Sequence, residues 1–182
     1  AFQKISQEKN AITMAYVHMI TGGERSGKSS YAERLALADS PNPIYLATAR
    51  IWDDEFRERV RLHQERRGAE WTNIEEEKYP SQHNLNGRTV LLDCVTLWAT
   101  NYFFDNEGTV EPALTLLKEE LDRLLSQDVR LFIVSNEIGL GGVSLDAVQR
   151  RFTSLQGWFN QYLASKADEV TLMVSGIPLK IK

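Results

Sequence analysis

Between Thr21 and Ser29 the chain reads Thr21-Gly22-Gly23-Glu24-Arg25-Ser26-Gly27-Lys28-Ser29, which fills every fixed position of the pattern G-x-x-x-x-G-K-[ST]. Glycines at this spacing let the backbone curl so that successive N–H groups point inward at phosphate oxygens. A helix that starts at the end of such a loop adds partial positive charge. Lys28 would reach the β- and γ-phosphates, and the Ser29 hydroxyl would face Mg²⁺. The flanking residues supply the required context, with a buried strand at 15–20 and a helix running to Ala38. A glycine-rich turn matching by chance is the bland alternative, and the strand and helix on either side weigh against it. The loop implies binding of a nucleoside triphosphate.

Other residues could join that chemistry. Asp93 closes the apolar run Val90-Leu91-Leu92, a Walker-B-like arrangement that could hold Mg²⁺ or simply cap the next helix. Glu137, just past Leu131-Phe132-Ile133-Val134-Ser135, is its rival for the metal-side role. Arg57, Arg59, Arg61, Arg66 and Arg67 share one helical stretch with Glu55, Glu58 and Glu65. They could clamp phosphates, but this mixture of charges favours a solvated face. Phe56, Val60 and His63 are spaced four and three apart and share one face. Taken locally, His63 reads as a partly buried structural histidine. His18 lies inside the first strand and reads as structural, and His83 reads as exposed in a polar connection. No histidine has a second metal ligand at the right spacing. The single cysteine, Cys94, excludes an intramolecular disulfide and reads as a buried thiol.

The elements that must position these groups alternate apolar runs with helical stretches. Strands are expected at 44–47, 90–93, 131–135 and 169–174, with short edge strands at 71–74 and 177–182. Helices are expected from Asp53-Asp54 to about Arg67, and at 96–104, 112–125 and 146–167. Tyr79 to Gly87 reads as a turn-rich connection. This alternation predicts a mostly parallel α/β sheet with helices on both faces, of the phosphate-loop (RecA-like) type. Ligands then bind at the carboxyl ends of the strands, where the loop, Thr48-Ala49, Asp93 and Glu137 all fall. At 182 residues, 15–182 suits one catalytic domain, with 1–14 an extension outside it. A net charge of −4 without a basic tract makes nucleic acid or an anionic membrane a poor partner. No apolar run has transmembrane length and no signal peptide opens the chain, so a cytoplasmic setting is expected.

From Val17 to Lys182 the ordered residues resemble the bifunctional adenosylcobinamide kinase / adenosylcobinamide-phosphate guanylyltransferase family. The resemblance rests on Thr21 to Ser29, Tyr45-Leu46-Ala47-Thr48, Asp53-Asp54-Glu55, Arg59 with His63, and Trp71 with Glu75. Asn136-Glu137-Ile138-Gly139-Leu140-Gly141 and the ending Val174 to Lys182 complete it. It implies that His63 is the guanylyl acceptor, which reverses the local reading of that residue. It also implies that Lys28 serves the kinase step, that Ser29 and Asp93 face Mg²⁺, and that ATP or GTP and a corrinoid are the substrates. Nucleotide contacts would fall on Gly22, Gly23, Glu24, Arg25, Ser26, Gly27, Lys28 and Ser29. Further contacts map to Ala47, Thr48, Ala49, Gln64, Glu65, Arg66, Arg67, Glu75 and Asp93. A homotrimer is implied as well.

The chain departs from the family pattern at three places. Gln64-Glu65-Arg66-Arg67 replaces Lys-Asp-Gly-Arg after the histidine, Asp93 replaces a glutamate, and Glu24 stands where alanine is familiar. Glu24 adds negative charge beside the phosphates unless it points outward. Two rival readings remain, a monofunctional small-molecule kinase and a nucleotide-dependent switch. The chain lacks the Asn-Lys-x-Asp motif that guanine-reading switches use.

Overall fold

The computed structural model describes residues 14–65 and 67–182, apart from the side chains of Arg59 and His63. The first strand β1 (Tyr16–Gly22) runs into the phosphate-type loop, and α1 (Lys28–Asp39) leaves it. Then come β2 (Ile44–Ala47), α2 (Asp54–Glu65), β3 (Thr72–Glu75), a 3-10 turn at Pro80–Gln82 and β4 (Arg88–Asp93). Helices α3 (Val95–Asp105) and α4 (Val110–Leu125) precede β5 (Val129–Val134). The chain ends with α5 (Ala147–Lys166), β6 (Glu169–Val174) and β7 (Ile177–Lys180).

The strands form one seven-stranded sheet in the order β3-β2-β4-β5-β1-β6-β7. All neighbours are parallel except β7, which returns antiparallel on β6. Alternate residues of each strand face opposite sides. Val17, Met19, Leu131 and Ile133 pack on one side with residues of α3, α4 and α5. Ile20, Phe132 and Val134 pack on the other side with Ala32 and Ala36 of α1. Those small residues let α1 lie close to β4 and β5. The expected mostly parallel sheet with helices on both faces is therefore the observed one.

Differences from the expected elements are local. Helix α4 begins at Val110 rather than Pro112, because a proline in the first helical turn gives up a donor that has no partner there. Pro178 is tolerated because β7 is the sheet edge. Asp146 caps α5 by accepting from Gln149 N–H at 2.7 Å, and Asp53 Oδ1 accepts from Phe56 N–H at 2.7 Å at the start of α2. His83 is half-buried rather than exposed, with Nε2 3.3 Å from Glu76 Oε2, because the connection folds back over its own start.

Candidate nucleotide site

The loop between β1 and α1 owes its shape to backbone angles that favour glycine. Gly22 has φ +150°, and an added Cβ would sit 2.6 Å from Met173 O and 2.8 Å from Ser26 Oγ. Gly27 has φ +94° and forms the cap of α1, whose first residue is Lys28. The terminal hairpin supports this curl from behind, with Gly176 N–H donating to Ser26 O at 2.9 Å. Lys28 is buried and folds back on its loop, bonding Gly23 O and lying 3.4 Å from Ser26 Oγ. Desolvation lowers its pKa from the ordinary lysine value. Glu24 and Arg25 point outward, with side chains 89% and 88% exposed, so Glu24 keeps its charge off the loop's inner face.

Ser29 borders both the concave face of the loop, shared with Arg25 to Ser30, and a neighbouring cleft of about 220 Å³. Asp93, Ala47, Ala49 and Arg67 line that cleft, together with Tyr45, a residue not assigned a role from sequence. Phe56 and Val60 of α2 and Leu97 of α3 supply its apolar walls. The buried Tyr45 hydroxyl donates to Asp93 Oδ2 at 2.7 Å. Burial, followed by the charge of Asp93, raises the Tyr45 pKa, so the hydroxyl stays a donor. Arg67 lies 3.6 Å from the centre of the Tyr45 ring and donates through Nε to Asn73 Oδ1 at 2.9 Å. Trp71 packs edge-on against Tyr45, with ring centres 5.8 Å apart. The sequence signal for Tyr45 is its position two residues before Ala47, which puts both side chains on one face of a strand that ends at the cleft.

Thr48 is turned away from this cleft. Its buried hydroxyl donates to Cys94 O at 2.8 Å and accepts from Cys94 N–H at 3.1 Å, joining the ends of β2 and β4. Cys94 is half-buried rather than fully buried as expected, and desolvation still pushes its thiol pKa up to about 12. Gln64 donates to Glu75 at the outer end of α2, and Glu65 is engaged by Arg61. Arg66 and the side chain of His63 lie outside the described residues, although α2 includes the His63 backbone. Arg57 pairs with Asp54 and Arg61 with Glu58, which is the solvated face expected for most of this helix. His18 is structural as expected, with Nε2 2.8 Å from Thr171 Oγ1.

Ser29 and Asp93 offer a hydroxyl and a carboxylate on one cleft, the hard oxygen donors that Mg²⁺ takes. Among the described residues no group of three or more His, Cys, Asp or Glu forms a metal site. Glu137 is not among the residues lining that cleft, and it accepts from Thr21 Oγ1 at 3.1 Å and Asn160 Nδ2 at 3.5 Å.

A glycine-shaped loop feeding a helix N-terminus at the carboxyl edge of a parallel sheet defines a P-loop nucleotide-binding α/β protein. The chain belongs to the cobinamide kinase / cobinamide phosphate guanyltransferase family, whose match covers residues 18–181. It is 38% identical over 169 residues to the bifunctional adenosylcobalamin biosynthesis protein CobP of Pseudomonas aeruginosa, covering 90% of this chain and 96% of that protein. It is 37% identical over 180 residues to the bifunctional adenosylcobalamin biosynthesis protein CobU of Escherichia coli, covering 90% and 98%. The CobU protein of Salmonella typhimurium is 35% identical over 179 residues, again covering 90% and 98%. Among the described residues no helix is long and apolar enough to cross a membrane.

Proposed function

We propose that this chain phosphorylates adenosylcobinamide with ATP or GTP and then transfers GMP from GTP to the resulting phosphate through His63. The observation that carries the reading is one cleft bordered by Ser29 of the phosphate loop, Asp93 of β4 and the apolar face of α2, the helix that includes His63. Residues 15–182 form the catalytic unit in this reading.

In the kinase half, the loop amides and Lys28 hold the β- and γ-phosphates, and Lys28 stabilises charge as the γ-phosphoryl group moves to the substrate hydroxyl. Ser29 and Asp93 would hold Mg²⁺, which neutralises phosphate charge when bound. In the transferase half, a neutral imidazole nitrogen of His63 attacks the α-phosphorus of GTP. The bond from that phosphorus to the bridging oxygen breaks, and pyrophosphate departs with the electron pair. A phosphate oxygen of adenosylcobinamide phosphate then displaces His63, giving adenosylcobinamide-GDP. Gly22 to Ser29, Ala47 to Ala49, Gln64 to Arg67, Glu75 and Asp93 are the proposed nucleotide contacts. Glu24 and Thr48 contribute through backbone atoms, since one side chain points outward and the hydroxyl of the other is spent on Cys94. The proposed assembly is a homotrimer working in the cytoplasm. Light scattering of the purified protein reads the trimer directly.

Intact mass after incubation with GTP and Mg²⁺ tests the transferase half in wild type and His63→Ala. A GMP-sized adduct on wild type alone, labile in acid and stable in base, is expected. Nucleotide-binding wild type without an adduct refutes the His63 route and leaves a monofunctional kinase.

A further inference from the structure

Glu137 is the carboxylate at the phosphate edge that the nucleotide contacts leave unused. Its strand β5 lies between β1, which leads into the phosphate loop, and β4, which ends in Asp93. The chain continues the pairing with β1 beyond the strand itself. Ser135 N–H donates to Ile20 O at 2.9 Å, and Glu137 N–H donates to Gly22 O at 3.0 Å. The backbone of Glu137 is thereby fixed beside the first glycine of the loop.

Its side chain is held more loosely, by neutral groups. Oε1 accepts from Thr21 Oγ1 at 3.1 Å and from Asn160 Nδ2 at 3.5 Å. Asn160 is itself oriented from below, its Oδ1 accepting from Ser135 Oγ at 2.6 Å. The fully buried Gln156 donates to Ser135 Oγ at 3.2 Å, Thr96 Oγ1 at 2.8 Å and Asn136 O at 3.2 Å. Gln156 Oε1 is left without a partner. Burying so many polar groups costs free energy that apolar side chains would not incur. The network's upper end is this one carboxylate. No described residue bonds Oε2, and no described cation forms a salt bridge with Glu137. A carboxylate held through one oxygen leaves the lone pairs of the other for a proton acceptor's role.

Resting on the kinase half of the proposed function, we infer that Glu137 is the general base that takes the proton from the acceptor hydroxyl. As the hydroxyl oxygen bonds to the γ-phosphorus, the bond from that phosphorus to the β–γ bridging oxygen breaks. The nucleoside diphosphate leaves with the electron pair, and the hydroxyl proton passes to Glu137 Oε2. Thr21 and Asn160 are positioning residues that aim the carboxylate. The transferase half needs no such base, because its nucleophiles are a neutral imidazole and a phosphate oxygen. Glu137 therefore serves one half-reaction only.

The test compares wild type, Glu137→Gln and Glu137→Asp with cobinamide, MgATP and MgGTP. The expected result for Glu137→Gln is a fall of about 10²-fold or more in kcat for phosphorylation. Nucleotide affinity, Mg²⁺ dependence and GMP-adduct formation should stay within about threefold of wild type, and Glu137→Asp should recover part of kcat. Phosphorylation retained within threefold by Glu137→Gln overturns the assignment. Joint loss of Mg²⁺ affinity and adduct formation also overturns it, in favour of a metal-side carboxylate. Wild type that binds nucleotide but phosphorylates no cobinamide overturns the functional reading itself, an outcome distinct from a failure of Glu137 alone.

Discussion

Removing one oxygen from Tyr45 tests whether the cleft is held in shape by its own side chains. Tyr45→Phe deletes the hydroxyl that donates to Asp93 Oδ2 at 2.7 Å and leaves the ring in place. The edge contact with Trp71 at 5.8 Å and the Arg67 guanidinium at 3.6 Å survive the change, since both address the ring. A hydrogen bond to an ionised group contributes about 1.5–3 kcal/mol. Asp93 is half-buried on an open cleft, so water recovers part of that, and the net loss should be about 1–2 kcal/mol. Denaturant unfolding of wild type, Tyr45→Phe, Asp93→Asn and the double variant closes a cycle that isolates the pair. Coupling of about 1 kcal/mol or more is expected. Coupling below about 0.3 kcal/mol would show that the contact orders nothing, and would remove the reason for treating Tyr45 as the residue that positions Asp93. If Asp93 holds Mg²⁺ as proposed, Tyr45→Phe also raises the Mg²⁺ concentration needed for half-maximal nucleotide binding.

Gly22→Ala should cost about 2–4 kcal/mol by combining overpacking with backbone strain, because its Cβ would meet Met173 O at 2.6 Å with φ at +150°. Unfolding midpoints and nucleotide titration check this, and unchanged values in both contradict the steric account. Asp105 is held well below the ordinary carboxylate range by hydrogen bonds from Arg50 and then Lys78. Its contribution is therefore complete above its unfolded value of 3.8 and is lost as pH falls through the lower folded value. The stability gap between wild type and Asp105→Asn should accordingly narrow in acid. Desolvation lowers the His18 pKa, so the unfolded chain takes up a proton near 6.5 while the folded chain does not until lower pH. Stability should fall as pH drops below 6.5, and His18→Gln should flatten that part of the curve.

The legible features were those written in local spacing. Short apolar runs bounded by Pro, Gly or Asp marked the strands, and the loop motif placed Gly22 to Ser29 at their edge. The solvated face of α2 was legible too, because Arg57 and Arg61 find their acidic partners within the same helix. Features built across the chain were not. Arg67 looks like its neighbours in sequence, yet it alone among the described arginines of that stretch stacks on Tyr45. Nothing near Thr48 tells that its hydroxyl is committed to Cys94, since the two meet only when β2 and β4 pair. The support for Glu137 joins β1, β5, α3 and α5, so no window of sequence contains it.

The two edges of the sheet handle charge differently, which bears on where the proposed chemistry would sit. At the amino edge, Arg130 at the start of β5 pairs with Asp39 at 2.7 Å, and Thr89 donates to the same carboxylate at 2.6 Å. Across β1, Tyr16 donates to Glu169 at 2.8 Å, and Lys180 of β7 pairs with that glutamate at 2.9 Å. Both of these carboxylates already have a cation, while Asp168 beside them accepts from Val17 N–H at 2.8 Å. At the carboxyl edge, Asp93 is bonded by a tyrosine hydroxyl and Glu137 by a threonine and an asparagine. Neutral donors fix the position of a carboxylate without cancelling its charge. In the proposed function, an edge arranged this way would keep negative charge available for a divalent cation and for a proton, beside a lysine and amides suited to phosphate. Ion pairs thus gather at the amino edge, and the carboxylates to which the proposed function assigns Mg²⁺ and proton transfer lie at the other, beside the phosphate loop.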